Sequence, residues 1–202
     1  MKKIKYFVII VLVLTIVTGC KSKKQREVYK ALENTSISQK GLNSYRVKVS
    51  ITSKDKSINY IVLNDNNEKY QITVDTSEGS YNYLINNKKK KDKENIPDPF
   101  SENNPELEYD YTNTDLFLEV LDDLSKDPKV TNEKIGDKKY KKYTFSVSKE
   151  KLNKVLKPFK IKVKKGGKGY SYVDSDNHVY LINYSSLDVN VNVSYTRLNE
   201  VK

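Results

Sequence analysis

The feature that most restricts this chain is an alternation of apolar and polar residues with a period of two. It is clearest near the C-terminus, where Val189, Val191, Val193 and Tyr195 alternate with Asn190, Asn192, Ser194 and Thr196. That period sends one set of side chains to a buried face and the other to water, which defines a strand in a sheet covered on one side. The same pattern puts Tyr45, Val47, Val49 and Ile51 against Arg46, Lys48, Ser50 and Thr52, and recurs in Ile58 to Leu63, in Tyr70, Ile72 and Val74, and in Tyr81, Tyr83 and Ile85. Polar turns at Lys54-Asp55-Lys56, Asp65-Asn66-Asn67 and Glu78-Gly79 separate these segments, so they form an antiparallel meander. Strand signals return at Val130 to Ile135, then at Tyr143, Phe145 and Val147 after a turn at Gly136-Asp137. A short strand is expected at Ile161 and Val163, a basic hairpin at Lys164 to Gly169, and closing strands at Tyr170–Val173, His178–Tyr184 and Asp188–Tyr195.

Two segments follow a helical period instead. Thr112 or Asn113 can cap a helix running to about Ser125, with Leu116, Phe117, Val120, Leu121 and Leu124 on one face. Ser148 can cap a second, with Leu152, Val155 and Leu156 on one stripe and Pro158 as its stop. Each has a single apolar stripe, so each must lie on the sheet. Glu27 to Glu33 reads as a further short helix with Val28, Ala31 and Leu32 on one side. Residues 86–106 have little to bury and carry Lys88, Lys89, Lys90 and Lys91 followed by Pro97, Pro99 and Pro105. The expectation is an exposed basic loop, with the four lysines as a contact for anionic headgroups or wall polymers.

The N-terminus specifies where the chain resides. Lys2, Lys3 and Lys5 precede an apolar run from Tyr6 to Val17, the arrangement of a secretion signal. Twelve helical residues reach ~18 Å, too short for a permanent span of a ~30 Å hydrocarbon core. Val17-Thr18-Gly19-Cys20 resembles the lipobox of bacterial lipoproteins, and Cys20 is the sole cysteine. The resemblance implies cleavage between Gly19 and Cys20, a diacylglyceryl group on Cys20, and an anchored protein on the extracytoplasmic face of the cell membrane. Residues 1–19 are then signal, 20–43 the lipidated cysteine, tether and short helix, and 44–202 a single domain. The formal net charge of +11 includes three signal lysines, so the chain from Cys20 onward keeps +8. Lys21 to Arg26 would lie against an anionic leaflet.

Chemistry is sparse in the rest. His178 is the one histidine and follows the turn Asp174-Ser175-Asp176-Asn177, so a Ser/His or Cys/His nucleophile system has little to draw on. Asp174, Asp176 and His178 share the early spacing of a calcium loop, without its central glycine or closing glutamate. The turn chemistry of Asp and Asn accounts for them. Lys164–Gly169 does not end in Gly-Lys-Ser/Thr, so it is no phosphate loop. No metal, cofactor, catalytic residue or nucleic-acid partner is expected.

The order of meander, central helices and closing strands resembles the LolA/LppX-like family. The resemblance is carried by Tyr172-Val173-Asp174-Ser175-Asp176-Asn177-His178-Val179-Tyr180 and by Val191-Asn192-Val193-Ser194-Tyr195-Thr196-Arg197-Leu198-Asn199 as penultimate hairpin and closing strand. It implies an α+β fold in which a curved antiparallel half-barrel takes two to three amphipathic helices on its concave face. It also implies an apolar space for a lipid or other hydrophobic ligand; the apolar helix faces of Leu116, Phe117, Val120, Leu121, Leu124, Leu152, Val155 and Leu156 would line it, or would pack the core. The alternative is an envelope interaction or sensor module with a filled core, whose partner is a protein or an anionic polymer.

Overall fold

A computed structural model describes residues 23–40, 42, 44–65, 69–76, 79–86, 109–121 and 128–197. Gly19, Cys20, Lys88 to Lys91 and Leu124 lie outside them. The described residues begin with α1 (Lys23–Lys40) and continue through β1 (Tyr45–Ser53), β2 (Ser57–Asp65), β3 (Lys69–Thr76) and β4 (Gly79–Asn86). A 3₁₀ helix (Thr114–Leu121) leads to β5 (Lys129–Ile135), β6 (Lys138–Val147), α2 (Lys149–Leu156) and a 3₁₀ turn at Lys157–Phe159. The chain closes with β7 (Gly167–Val173), β8 (Val179–Ser185) and β9 (Val189–Arg197).

All nine strands form one antiparallel sheet in the order β4-β3-β2-β1-β9-β8-β7-β6-β5. The sheet is curved and unclosed, with β4 and β5 as its two edges and the helices against it, the α+β half-barrel expected from the sequence. The first and last strands meet at its centre, where Val49 lies opposite Val193. Registers align Val74, Tyr60, Val49, Val193, Ile182 and Ser171 in one row across six strands. All six are buried on the concave face.

Four local features depart from the sequence reading. α1 extends well beyond Glu27–Glu33 because its inner face includes Thr35, fully buried with its hydroxyl donating to the Ala31 carbonyl at 2.9 Å. A polar residue on the packed stripe hides the period. The segment expected as a helix from Thr112 or Asn113 is 3₁₀ from Thr114, with three residues per turn, so Thr114, Phe117 and Val120 stack in one buried column and Leu118 and Leu121 in the next. Ile161 and Val163 make no strand, because the Asn153 side chain takes the Val163 backbone. In β6, Tyr140 is buried on the face opposite Tyr143, Phe145 and Val147, under the rings of Tyr172 and Tyr180. α2 does start at Ser148, whose hydroxyl accepts the Lys151 N–H at 3.1 Å. No helix among the described residues is long and apolar enough to cross a membrane.

Candidate functional site

The helical residues singled out in the sequence come together on the concave face. Phe117, Val120, Leu152, Val155 and Leu156 are fully buried, Leu121 is nearly so, and Leu116 is partly covered at their edge. An aromatic group fills the space beneath them. Tyr60 meets Tyr111 edge-on at 4.6 Å, and Phe159 stacks on Phe117 at 5.9 Å and on Tyr60 at 6.3 Å. Each fully buried aliphatic or aromatic side chain contributes about 1.5–3 kcal/mol, so this contact surface secures helices too short to persist alone.

Tyrosine hydroxyls thread this interior. Those of Tyr45 and Thr114 are 3.3 Å apart and share a hydrogen bond, and Tyr195 donates to the Thr114 carbonyl at 3.3 Å. Burial pushes the phenols of Tyr60, Tyr184 and Tyr195 well above the usual tyrosine range. The hydroxyls of Tyr184 and Ser171 find no partner among the described residues. They face inward from the adjacent strands β8 and β7.

Packing is thinner toward β4. Tyr81, Tyr83 and Ile85 lie opposite Val74, Ile72 and Tyr70, so they point to the same concave side, but they are only half covered. Of these, Tyr83 and Ile85 pack with Tyr70 and Leu116 against the buried cluster and make a ledge at its edge. Partial desolvation raises the Tyr70 and Tyr83 phenols. The sequence shows these residues as strand residues, and their spacing does not distinguish half coverage from full burial.

At one end of the sheet a cleft of about 580 Å³ is lined by Leu42, Tyr45, Tyr140, Asp174, His178 and Tyr195 among others. Ser38 Oγ lies 3.2 Å from His178 Nε2, and Asp174 Oδ1 lies 3.9 Å from His178 Nδ1. The order resembles a hydrolytic triad, but the geometry does another job. The Asp174 oxygen is beyond hydrogen-bond reach of the imidazole and accepts the N–H groups of Asp176 and His178 at 2.9 Å each. Ser38 sits in the last turn of α1, where a helix presents carbonyls rather than N–H groups to a developing oxyanion. The trio therefore fixes the β7–β8 turn and latches α1 to it. Asp174, Asp176 and His178 have ligand atoms within 4.8 Å of one another, with one oxygen already engaged by the turn.

The outer face carries a separate network. Glu133 accepts from the Tyr172 hydroxyl at 2.7 Å and pairs with Lys142 at 3.0 Å, while Lys142 lies over the Tyr170 and Tyr172 rings. The hydrogen bonds from Tyr172 and Lys142 lower the Glu133 carboxyl. These contacts knit β5, β6 and β7.

No family model and no curated protein matches the sequence. Solved structures do match. The crystal structure of LprF from Mycobacterium bovis aligns over 85% of this chain and 92% of its own, at 14% identity and a TM-score of 0.51. The Mycobacterium tuberculosis lipoprotein LppX aligns over 86% and 96%, at 14% identity and a TM-score of 0.47. At 14% identity the likeness to LprF is one of architecture: this chain has the open half-barrel fold of that protein.

Proposed function

We propose that this protein is a non-catalytic, membrane-anchored lipoprotein of the cell envelope that holds a lipid or similar hydrophobic ligand on the concave side of its half-barrel. The observation that carries the reading is the ledge of Tyr70, Tyr83 and Ile85, inward-facing yet half covered, beside a core that is otherwise sealed. An acyl chain would lie along the ledge against Leu116. Phe117, Val120, Leu121, Leu152, Val155 and Leu156 would form the wall behind it. Tyrosines suit such a place because one edge of the ring is apolar and the hydroxyl stays wet. The lipobox-like Val17–Cys20 supports an anchor through diacylated Cys20 on the extracytoplasmic face, and Lys88 to Lys91 would meet anionic headgroups.

Native mass spectrometry with solvent extraction, on the chain from Cys20 onward purified without detergent, tests the ligand. A stoichiometric adduct that releases a lipid is the expected result. Bare protein whose melting ignores added lipids would transfer the reading to an envelope interaction module, which the sealed helix–sheet contact favours. The anchor is tested separately: Cys20→Ala should leave the protein uncleaved or shed into the medium. Recovery of a processed form with membranes would refute it.

A further inference from the structure

Nine of the twenty residues from Lys149 to Lys168 are lysine, and Glu150 is the one acid among them. They run through α2, the turn after it and the start of β7, and most are exposed. Lys154 pairs with Glu119 at 2.8 Å, which leaves the segment strongly positive. Registers place its C-terminal part beside the β8–β9 turn, since Lys168 lies opposite Ser185. That turn projects Leu187, 84% exposed, the most exposed large apolar side chain among the described residues.

The tip is held firmly. Ser186 N–H donates to the Val189 carbonyl at 2.8 Å, Asp188 N–H to Ser186 Oγ at 3.3 Å, and Lys164 N–H to Asp188 Oδ2 at 3.0 Å. Turn geometry is served by Ser186 and Asp188 and makes no demand for leucine between them. A soluble polyanion would use the lysines and leave Leu187 without purpose. A bilayer uses both, because anionic headgroups attract the ammonium groups and the acyl boundary accepts the leucine. All nine cations are lysines rather than arginines, which fits diffuse attraction to a charged sheet rather than forked recognition of single phosphates.

We propose that the β8–β9 turn is a membrane-contact tip, with Leu187 entering the headgroup layer of an anionic bilayer and Lys164, Lys165 and Lys168 around it. The proposal rests on the anchored-lipoprotein reading in one respect, that a bilayer is within reach. Only Lys21 and Ser22 separate Cys20 from Lys23, and these three chain steps span at most ~10 Å, about one Debye length, so an anchored domain would feel the surface charge.

The test is co-sedimentation of the unlipidated chain from Cys20 onward, which contains every element described, with vesicles. Binding to phosphatidylglycerol–phosphatidylcholine vesicles but not to phosphatidylcholine alone is expected. Leu187→Ser should weaken it about tenfold with the melting temperature unchanged. Replacing Lys164, Lys165 and Lys168 together by Gln should weaken it about a hundredfold at low salt. Absence of binding overturns the proposal, as does binding that Leu187→Ser leaves unchanged. If soluble polyphosphate then binds as well as vesicles do, the lysines serve an anionic polymer instead. Because the chain carries no lipid, these outcomes are independent of Cys20 processing, and the solvent extract reports on the ledge alone.

Discussion

The side-chain amide of Asn153 forms a closed pair of hydrogen bonds with the backbone of Val163. Its oxygen accepts the Val163 N–H at 2.8 Å and its nitrogen donates to the Val163 carbonyl at 3.3 Å. A helix residue thus does what a neighbouring strand would do, for a residue only 1% exposed. Asn153→Leu removes both partners from a buried peptide and should cost about 1–3 kcal/mol in urea unfolding. Asn153→Asp keeps the acceptor and loses the donor, so its cost should fall between wild type and Leu. Equal stability of all three would show that the pairing carries no weight.

Gly169 gives a second handle on stability. A methyl group there would approach the Asn183 carbonyl oxygen to 2.6 Å, Phe145 Cε2 to 2.7 Å and the Tyr184 Cβ to 2.8 Å. Gly169→Ala should therefore destabilise by about 1–3 kcal/mol through overpacking. Gly136 is the control: it needs a left-handed backbone at φ 59° but has open space, so Gly136→Ala should cost about 1 kcal/mol from strain alone. Calorimetry on the two variants would separate crowding from backbone strain.

Alkaline pH should unfold the protein cooperatively. Tyr60, Tyr184 and Tyr195 are raised by burial, so in the folded state they stay neutral where an unfolded chain would ionise. Below pH ~10 both states hold these protons and the contribution is complete. Above it the unfolded chain releases them and the native chain does not, so stability falls as pH rises. Phenolate absorbance should climb gradually for surface tyrosines, then jump as circular dichroism is lost. Smooth ionisation of every tyrosine with the fold intact would contradict this. At the acid end the sign reverses for Glu133, whose lowered carboxyl supports folding above its ordinary range and loses that support as pH falls.

Replacing Tyr83 and Ile85 together by serine should separate ligand holding from folding. Both are half covered on an edge strand, so the stability cost should stay near 1 kcal/mol. Affinity for a fluorescent long-chain fatty acid should fall at least tenfold. An unchanged affinity would remove the ledge as the binding surface.

Much of this architecture was readable in advance because the sheet is covered on one side only. Val47, Val49 and Ile51 against Lys48 and Ser50, or Val191 and Val193 against Asn192, carry the buried face in their spacing alone. The Ser148 cap was equally local. What escaped the sequence was set by individual side-chain contacts that no periodicity encodes, near and far in the chain. Thr35 looks polar until its hydroxyl turns back to Ala31, and Val163 looks like a strand residue until Asn153 occupies its backbone. Tyr140 breaks the alternation of β6 because Tyr172 and Tyr180 cover it from outside. The contact of Ser38 with His178 spans most of the chain, and nothing in the sequence around either residue signals it. The half coverage of Tyr83 and Ile85 depends on what packs over them, which no spacing within β4 encodes.

The pairing of β1 with β9 also governs when this molecule can form. Val49 cannot meet Val193 until the last segment has been synthesised, so the middle of the sheet is the latest part available to the growing chain. Before that, the β1–β4 meander ends in a bare edge at β1, and β5 to β8 are separated from it. A polypeptide arranged in this way stays open through synthesis, folds slowly by long-range pairing, and would be ruined by loss of its final strand.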